Sequence, residues 1–205
     1  MRASIITSIL AFAASQVTAQ DNYYSNQSAP FALVVSSSNS SINGGVLYAC
    51  HEGAAIEALC LGGASFFNTS SATYNLNYSS QATPDPVLGI TGLLTWVLHG
   101  GNFNVSSSMQ LSSTPTSNVG IPLFQPGDEA VTFVGFDKEN KMFIGGYEDD
   151  TVSPIKYATK AYYRWFICTT QPTSYVYTTL AWVYGVHSHP QNPTCQKVDV
   201  IRQFL

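Results

Sequence analysis

The sequence predicts an all-β protein: a single-domain antiparallel β-sandwich or closed barrel with long glycosylated loops. β-Branched and aromatic residues alternate with Ser and Thr along much of the chain, as they do in half-buried strands. Gly, Pro and Asn interrupt this alternation at short intervals, whereas helix signals are few. Removal of a leader leaves about 186 residues, the size of one domain with its own core.

Residues 1–19 are typical of an export signal. Arg2 supplies a positive start, residues 3–14 form a short apolar run, and Val17 and Ala19 fit the small-residue rule for cleavage. The run is too short for a membrane helix, which needs about 20 apolar residues, and no later stretch is long and apolar enough. The sequence therefore predicts a secreted, extracellular protein without a membrane span.

After the leader, residues 20–30 form an N-terminal segment and residues 31–205 a single β-rich domain. The candidate strands in chain order are 31–35, 45–50, 93–98, 109–111, 130–136, 141–147, 162–169, 175–184 and 197–204. A polar turn between two apolar arms predicts a hairpin over residues 136–142. Residues 66–81, uncharged and rich in Ser, Thr and Asn, are predicted to form a long, loosely ordered loop.

All four cysteines lie beyond the leader, and an oxidising compartment should pair them. Of three possible connectivities we favour Cys50–Cys60 with Cys168–Cys195, because each pair brackets a compact stretch; the spacing matches no zinc finger or ribbon. A helix over residues 50–60 would separate its ends by about 15 Å, whereas a disulfide needs Cα atoms within about 7 Å. We therefore expect a folded-back loop there, with one helical turn inside.

Five Asn-x-Ser/Thr sequons predict N-glycosylation. They begin at Asn26, Asn39, Asn68, Asn77 and Asn104. A further match at residues 192–194 is excluded because its middle residue is proline. Glycans are added only in the secretory lumen and on exposed backbone, so the sequons support the extracellular address that the leader predicts.

The charge balance argues against nucleic acid as a partner. The chain has 12 acidic and eight basic residues, whereas nucleic-acid binding rewards clustered positive charge. Charged residues make up only 10% of the chain, well below the usual share of about 25%. Ser, Thr, Asn, Gly and Tyr supply the polarity instead, as is common in exported β-rich proteins.

No catalytic signature and no phosphate-binding loop occurs, and no cofactor is expected. The catalytic candidates are His51 with Glu52 or Glu57, which could form an acid/base pair. The simpler interpretation of His51 is a loop histidine that is hydrogen-bonded to the backbone and has no catalytic role. Unchanged turnover in a His51→Ala variant, on any substrate found, would dismiss the pair.

Two other groups of polar residues are candidate metal ligands. His187 and His189 share one face of an extended segment, and Asp199 could add a carboxylate. Residues 148–150 offer carboxylate oxygens for calcium but lack the spacing of a calcium loop. Neither group fixes a ligand set, so the sequence predicts no metal site.

The strongest candidate for recognition is aromatic, because Tyr and Trp crowd the last third of the chain. The proposed ligand-binding residues are Tyr163, Arg164, Trp165 and Trp182. If one face of their strands is open to water, its flat rings and guanidinium suit stacking on sugars or on an apolar ligand. The alternative is that both faces are buried in the core.

Four runs resemble those of a family of secreted ascomycete proteins without assigned activity. They are CHEGAAIE (50–57), HGGNFNVSS (99–107), YYRW (162–165) and NPTC (192–195). The Phe-led first strand and the C-terminal segment with two cysteines are more distantly similar to the fungal phialide cell-wall protein. The resemblance implies an extracellular or wall-associated fungal protein, and it brings no catalytic residues with it.

Three functions are therefore open, in order of preference. The first is a secreted, non-catalytic glycoprotein of the fungal cell surface or wall. The second is a module that binds carbohydrate, such as cell-wall polysaccharide, or a small apolar ligand on its aromatic face. The third is a hydrolase of unknown substrate that uses His51 with Glu52 or Glu57.

Overall fold

A computed structural model describes residues 22–205, so the predicted export signal lies outside the described residues. The all-β prediction is confirmed: strands make up 54% of the structure, and no helix there reaches seven residues. The strands are β1 Asn26–Gln27, β2 Phe31–Ser36, β3 Val46–Gly53, β4 Ile56–Gly62, β5 Tyr74–Tyr78, β6 Thr91–His99, β7 Asn104–Ser112, β8 Val119–Pro126, β9 Phe133–Phe136, β10 Met142–Asp149, β11 Lys156–Tyr162, β12 Trp165–Thr170, β13 Tyr177–Val183, β14 Gln196–Lys197 and β15 Asp199–Phe204. Short 3-10 helices span Asn22–Tyr24, Ala64–Phe66 and Ser70–Ala72.

Eight of these strands form a closed antiparallel barrel, the second of the two predicted architectures. Their order is β5-β2-β3-β4-β13-β8-β7-β6, and β6 returns to pair with β5. The remaining strands extend this barrel. β9, β10 and β11 continue from β6, β12 pairs with β13 and β14, β15 pairs with β2, and β1 pairs with β5.

Every strand of the barrel contributes to one buried core. The members that represent the eight strands are Phe31, Leu47, Leu59, Tyr74, Leu94, Met109, Phe124 and Leu180. All eight side chains are essentially inaccessible to solvent. Small barrels of this strand number are just wide enough for side chains to fill them. The core is thus a packed interior, and a ligand would have to bind at the surface of the barrel.

The two favoured disulfides are confirmed. Cys50 and Cys60 lie on the paired strands β3 and β4, with Cα atoms 5.8 Å apart, and Cys168 is bonded to Cys195. The predicted fold-back of residues 50–60 is right, but the predicted helical turn is wrong. The segment is a β-hairpin, and Ala55 takes the positive φ of 58° that its tight turn requires.

The predicted loop over residues 66–81 is also wrong in its second half. β5 forms there and pairs with both β2 and β6 in the barrel wall. Tyr74 and Leu76, two residues apart, are buried in the core, and the Tyr74 hydroxyl donates to the Leu47 carbonyl oxygen at 3.1 Å. The period-two placement of these apolar residues outweighs the polar composition around them.

The hairpin predicted over residues 136–142 is present. Phe136 lies opposite Met142, and the Asp137 carboxylate accepts hydrogen bonds from the backbone N–H of Glu139 and Lys141 at 3.0 and 2.8 Å. Besides β5, two further strands of the barrel wall, β4 and β8, were not predicted. The candidate strand 162–169 is divided, because β11 ends at Tyr162 and β12 begins at Trp165.

Candidate functional site

The β3–β4 hairpin brings two of the catalytic candidates together. His51 lies directly opposite Glu57, and His51 Nδ1 is 3.3 Å from Glu57 Oε1. The His51 side chain is 61% exposed and the Glu57 side chain only 10%. A register shift between His51 and Gly53 marks a β-bulge, a feature that re-aims side chains near the end of a strand.

Burial is the main influence on the Glu57 carboxyl, and it raises the pKa of Glu57 above the ordinary value of 4.5. The hydrogen bond and the charge of His51 act in the opposite direction and lower it, while the charge of Glu52 raises it further. Such a pair can exchange a proton with a bound molecule. Among residues 22–205, no further side chain is hydrogen-bonded to His51 or to Glu57. The described residues around this pair therefore do not form the hydrogen-bonded set of nucleophile, base and orienting group that covalent catalysis uses.

Glu57→Gln should remove a pH-dependent part of the stability. The native state retains the Glu57 proton to higher pH than the unfolded chain, because the native pKa is raised. The stabilising contribution is therefore fully present below about pH 4.5 and lost as the pH rises through the native pKa. We expect the free energy of unfolding of the wild type, relative to that of the variant, to fall as the pH rises above about 4.5 in urea titrations.

The matched control is Glu148→Gln, which removes an exposed carboxylate from β10. Its stability difference from the wild type should change much less over the same pH range. If the stability difference between the wild type and Glu57→Gln is equally independent of pH, the raised pKa of Glu57 is contradicted.

Glu52 is the most deeply buried carboxylate of the group, with 1% of its surface exposed. Its Oε2 accepts a hydrogen bond of 2.9 Å from Thr173 Oγ1, which also contacts the Glu52 carbonyl oxygen. Its Oε1 is buried without a partner among the described residues. Glu52 thus ties the segment before β13 to the β3–β4 hairpin, while His51 and Glu57 pair separately.

Aromatic rings flank this hairpin, and we call Tyr48, Phe66, Tyr175 and Tyr177 the hairpin aromatic cluster. Tyr48 stacks on Phe66 with ring centroids 4.0 Å apart. Tyr175, which is 47% exposed, lies 6.1 Å from His51 and 5.9 Å from Tyr177, centroid to centroid. Burial raises the pKa of Tyr177, and the nearby charge of Glu52 adds to that rise. This cluster presents aromatic surface to solvent.

The four residues proposed for ligand binding do not present such a surface. Trp165 is fully buried and Trp182 is 7% exposed; their rings meet edge to face with centroids 4.8 Å apart. The Trp165 indole N–H donates to the Met142 carbonyl oxygen at 2.8 Å. The alternative in which these rings belong to the core is therefore right for both tryptophans, and a stacking role for them is not supported.

Tyr163 and Arg164 are held by protein groups. The Tyr163 hydroxyl donates to Asp137 Oδ2 at 2.9 Å, and burial, together with this bond, raises the pKa of Tyr163 to about 12. The Arg164 guanidinium donates to the carbonyl oxygen of Val183, the last residue of β13, at 2.7 Å. It also donates to the carbonyl oxygens of Val186 and Ser188, in the segment after β13, at 2.7 and 2.5 Å. Both side chains fix neighbouring backbone and turns.

The other polar candidates stay apart. His187 and His189 are exposed in the segment that Arg164 binds, and within residues 22–205 no three His, Cys, Asp or Glu side chains converge as a metal site would require.

The five sequons differ in exposure: Asn26, Asn68 and Asn104 are exposed and Asn39 is half-buried. Asn77 is 6% exposed, and its Oδ1 accepts hydrogen bonds from Gln27 and Thr95.

A second surface feature was not predicted from the sequence. A groove of about 520 Å³ lies between β7, β8 and the segment that follows β8. Its lining residues are Ser108, Gln110, Gln125, Pro126, Gly127, Asp128, Glu129 and Ala130. Sequence reasoning missed it because β8 was not predicted, although the alternation of Ser108 and Gln110 with apolar residues was a usable signal.

A family model described as a domain of unknown function (DUF7907) matches residues 28–204. The chain belongs to the DUF7907 family. The match covers every barrel strand and ends on the last residue of β15. No curated protein and no solved structure matches this DUF7907 chain. In the part of it that the structure describes, no helix is long and apolar enough to cross a membrane.

Proposed function

We propose that this DUF7907 protein is a secreted, non-catalytic glycoprotein of the fungal cell surface or wall. The observation that carries the proposal is the pairing of all four cysteines in two disulfides. Such bonds form and persist in oxidising compartments and are rare in the cytosol. The export signal and the sequons predicted from the sequence agree with that address, and the fungal origin rests on the resemblance of the four sequence runs.

A binding or structural role suits the barrel better than catalysis does. The core is filled by side chains from every barrel strand, so it offers no interior chamber that would exclude water from a reaction. The His51–Glu57 pair is open to solvent on its His51 side, and among the described residues neither group is hydrogen-bonded to a third side chain. The hydrolase alternative depends on this pair and has less support.

Glycan occupancy tests the proposal and should follow exposure. We expect glycans on the exposed Asn26, Asn68 and Asn104, and none on Asn77, because its buried, hydrogen-bonded side chain leaves no room for a sugar in the folded protein. Glycopeptide mapping of secreted material measures this. A Ser70→Ala variant should lose one glycan, whereas Ser79→Ala, which removes the Asn77 sequon, should lose none.

Intact mass of native material before and after reduction completes the test. Two disulfides and at least one glycan are expected. Four free thiols together with unmodified asparagines would overturn the proposal, and a glycan on Asn77 in folded material would contradict the placement of β5.

A second candidate function is the binding of carbohydrate or of a small apolar ligand at the hairpin aromatic cluster. The specific observation is Tyr175, whose ring is half exposed beside the imidazole of His51. Aromatic faces of this kind suit stacking on a flat ligand. Binding that is lost in Tyr175→Ala supports this candidate, and binding that is unchanged in the variant excludes it.

A further inference from the structure

The groove between β7 and β8 is built from the outward positions of two paired strands. Ser108 lies opposite Gln125 in the antiparallel ladder. Met109, which follows Ser108, and Phe124, which precedes Gln125, are fully buried in the core. Because side chains alternate along a strand, Ser108, Gln110 and Gln125 project from the opposite face of the wall. The floor of the groove is therefore held on rigid strands.

The segment after β8 forms the rim. Ser108 Oγ donates a hydrogen bond to the Gly127 carbonyl oxygen, which holds the start of the rim against β7. Gly127 and Ala130 have φ values of 99° and 55°, so the chain turns sharply at both positions. The N–H of Thr132, just beyond the rim, donates to the Met109 carbonyl oxygen at 3.0 Å. Both ends of the rim are thus attached to the barrel.

Two amide side chains in this groove have no partner in the protein. Gln110 and Gln125 are both half-buried, and neither side-chain amide is hydrogen-bonded to any group within residues 22–205. Each carries two donors and one acceptor, so together they can bind a molecule that presents both kinds of group. Hydroxyl groups do so, and they can replace the water that otherwise solvates the amides.

The charges at the groove define the ligand further. Asp128 and Glu129 belong to the lining, and no Lys or Arg does. An anionic ligand would therefore meet like charge, whereas carboxylate oxygens accept hydrogen bonds from hydroxyl groups. A bare metal ion is not favoured, since no set of three suitable ligands converges in the described structure. The volume of about 520 Å³ lies within the range of small-molecule sites, about 300–1,000 Å³.

We infer that this groove is a binding site for a neutral, hydroxyl-rich ligand, namely a short oligosaccharide. Gln110 and Gln125 exchange hydrogen bonds with its hydroxyl groups, and the Glu129 carboxylate at the rim accepts from others. The inference is independent of secretion and glycosylation, so it can fail while the proposed function stands, and the reverse also holds. It also differs from stacking on the hairpin aromatic cluster, because no aromatic residue lines the groove.

The inference is tested by calorimetric titration of the disulfide-bonded protein, which measures its Kd for neutral hexasaccharides of glucose, of mannose and of N-acetylglucosamine. An acidic hexasaccharide of galacturonic acid is the charge control. We expect at least one neutral probe to bind with a Kd below about 1 mM and the acidic probe to bind more weakly. The double variant Gln110→Ala/Gln125→Ala should weaken binding at least about ten-fold. Gln203→Ala, a matched exposed glutamine on β15, should bind as the wild type does.

Three results would overturn the inference. One is the absence of binding by every neutral probe at about 1 mM. Another is wild-type affinity in the double glutamine variant, provided that its thermal unfolding matches that of the wild type. The third is loss of binding in Tyr175→Ala but not in the glutamine variant, which would place the site at the hairpin aromatic cluster.

Discussion

Trp165→Ala should lower the free energy of unfolding by about 3–5 kcal/mol, the range for a large aromatic side chain removed from a core. Trp165 is fully buried, and its indole packs edge to face on Trp182. The substitution leaves a cavity and also removes the donor that binds the Met142 carbonyl oxygen at 2.8 Å. For a domain of this size, the midpoint of thermal unfolding should fall by roughly 6–20 °C.

Tyr157→Ala is the control for this experiment. Tyr157 is also aromatic but is 57% exposed on β11, so its removal should change the stability by no more than about 0.5 kcal/mol. Chemical denaturation followed by far-ultraviolet circular dichroism measures both variants. If Trp165→Ala lowers the free energy of unfolding by less than about 1 kcal/mol, the Trp165 ring is not part of the core. That result would favour the role in ligand binding that the sequence suggests for Trp165.

Loss of the Cys168–Cys195 disulfide should be nearly as costly. This bond closes a loop of 27 residues, and the chain-entropy relation assigns about 3.5 kcal/mol to it. Cys168 is buried beside Ala181 and Val183, and Cys50 and Cys60 are buried in another apolar cluster. Either double Cys→Ser variant therefore also places a hydroxyl group in apolar surroundings, and the difference between them rests on loop length and strand pairing. We expect denaturant unfolding of the Cys168–Cys195 variant at a markedly lower midpoint than that of the wild type.

The Cys50–Cys60 double Cys→Ser variant provides the comparison. Its loop spans ten residues, worth about 3 kcal/mol by the same relation, and the β3–β4 ladder holds the same segment. We therefore expect the Cys50–Cys60 variant to be the more stable of the two. The opposite order would mean that the hairpin depends on its disulfide more than on its backbone pairing.

Local patterns in the sequence predict part of the fold well. β2 and the hairpin over residues 136–142 were found because alternation and turn chemistry are local signals. β4 was missed because Ala, Glu and Leu in residues 56–61 favour a helix in isolation. In the protein those residues lie between β3 and β8, and this pairing overrides their intrinsic preference.

The candidate site was predictable only where its parts are close in sequence. His51 and Glu57 are six residues apart, and the hairpin that the disulfide implied brings them together. The burial of Trp182 depends on pairing between distant strands, so composition could not distinguish core from open face. The groove requires the register of β7 against β8 and the path of residues 126–130, neither of which a local pattern encodes.

The pairing of β15 with β2 sets an order of events during synthesis. Phe204 lies opposite Phe31, so one whole side of β2 acquires its neighbour only after residues 37–204 have been synthesised. At about 5–20 residues per second, that interval is roughly 10–35 s. Throughout it the almost wholly apolar strand Phe31–Ser36 exposes an unpaired edge, the kind of edge that recruits other nascent chains. Among the strands of the barrel, the first to be synthesised therefore waits the longest for its outer neighbour.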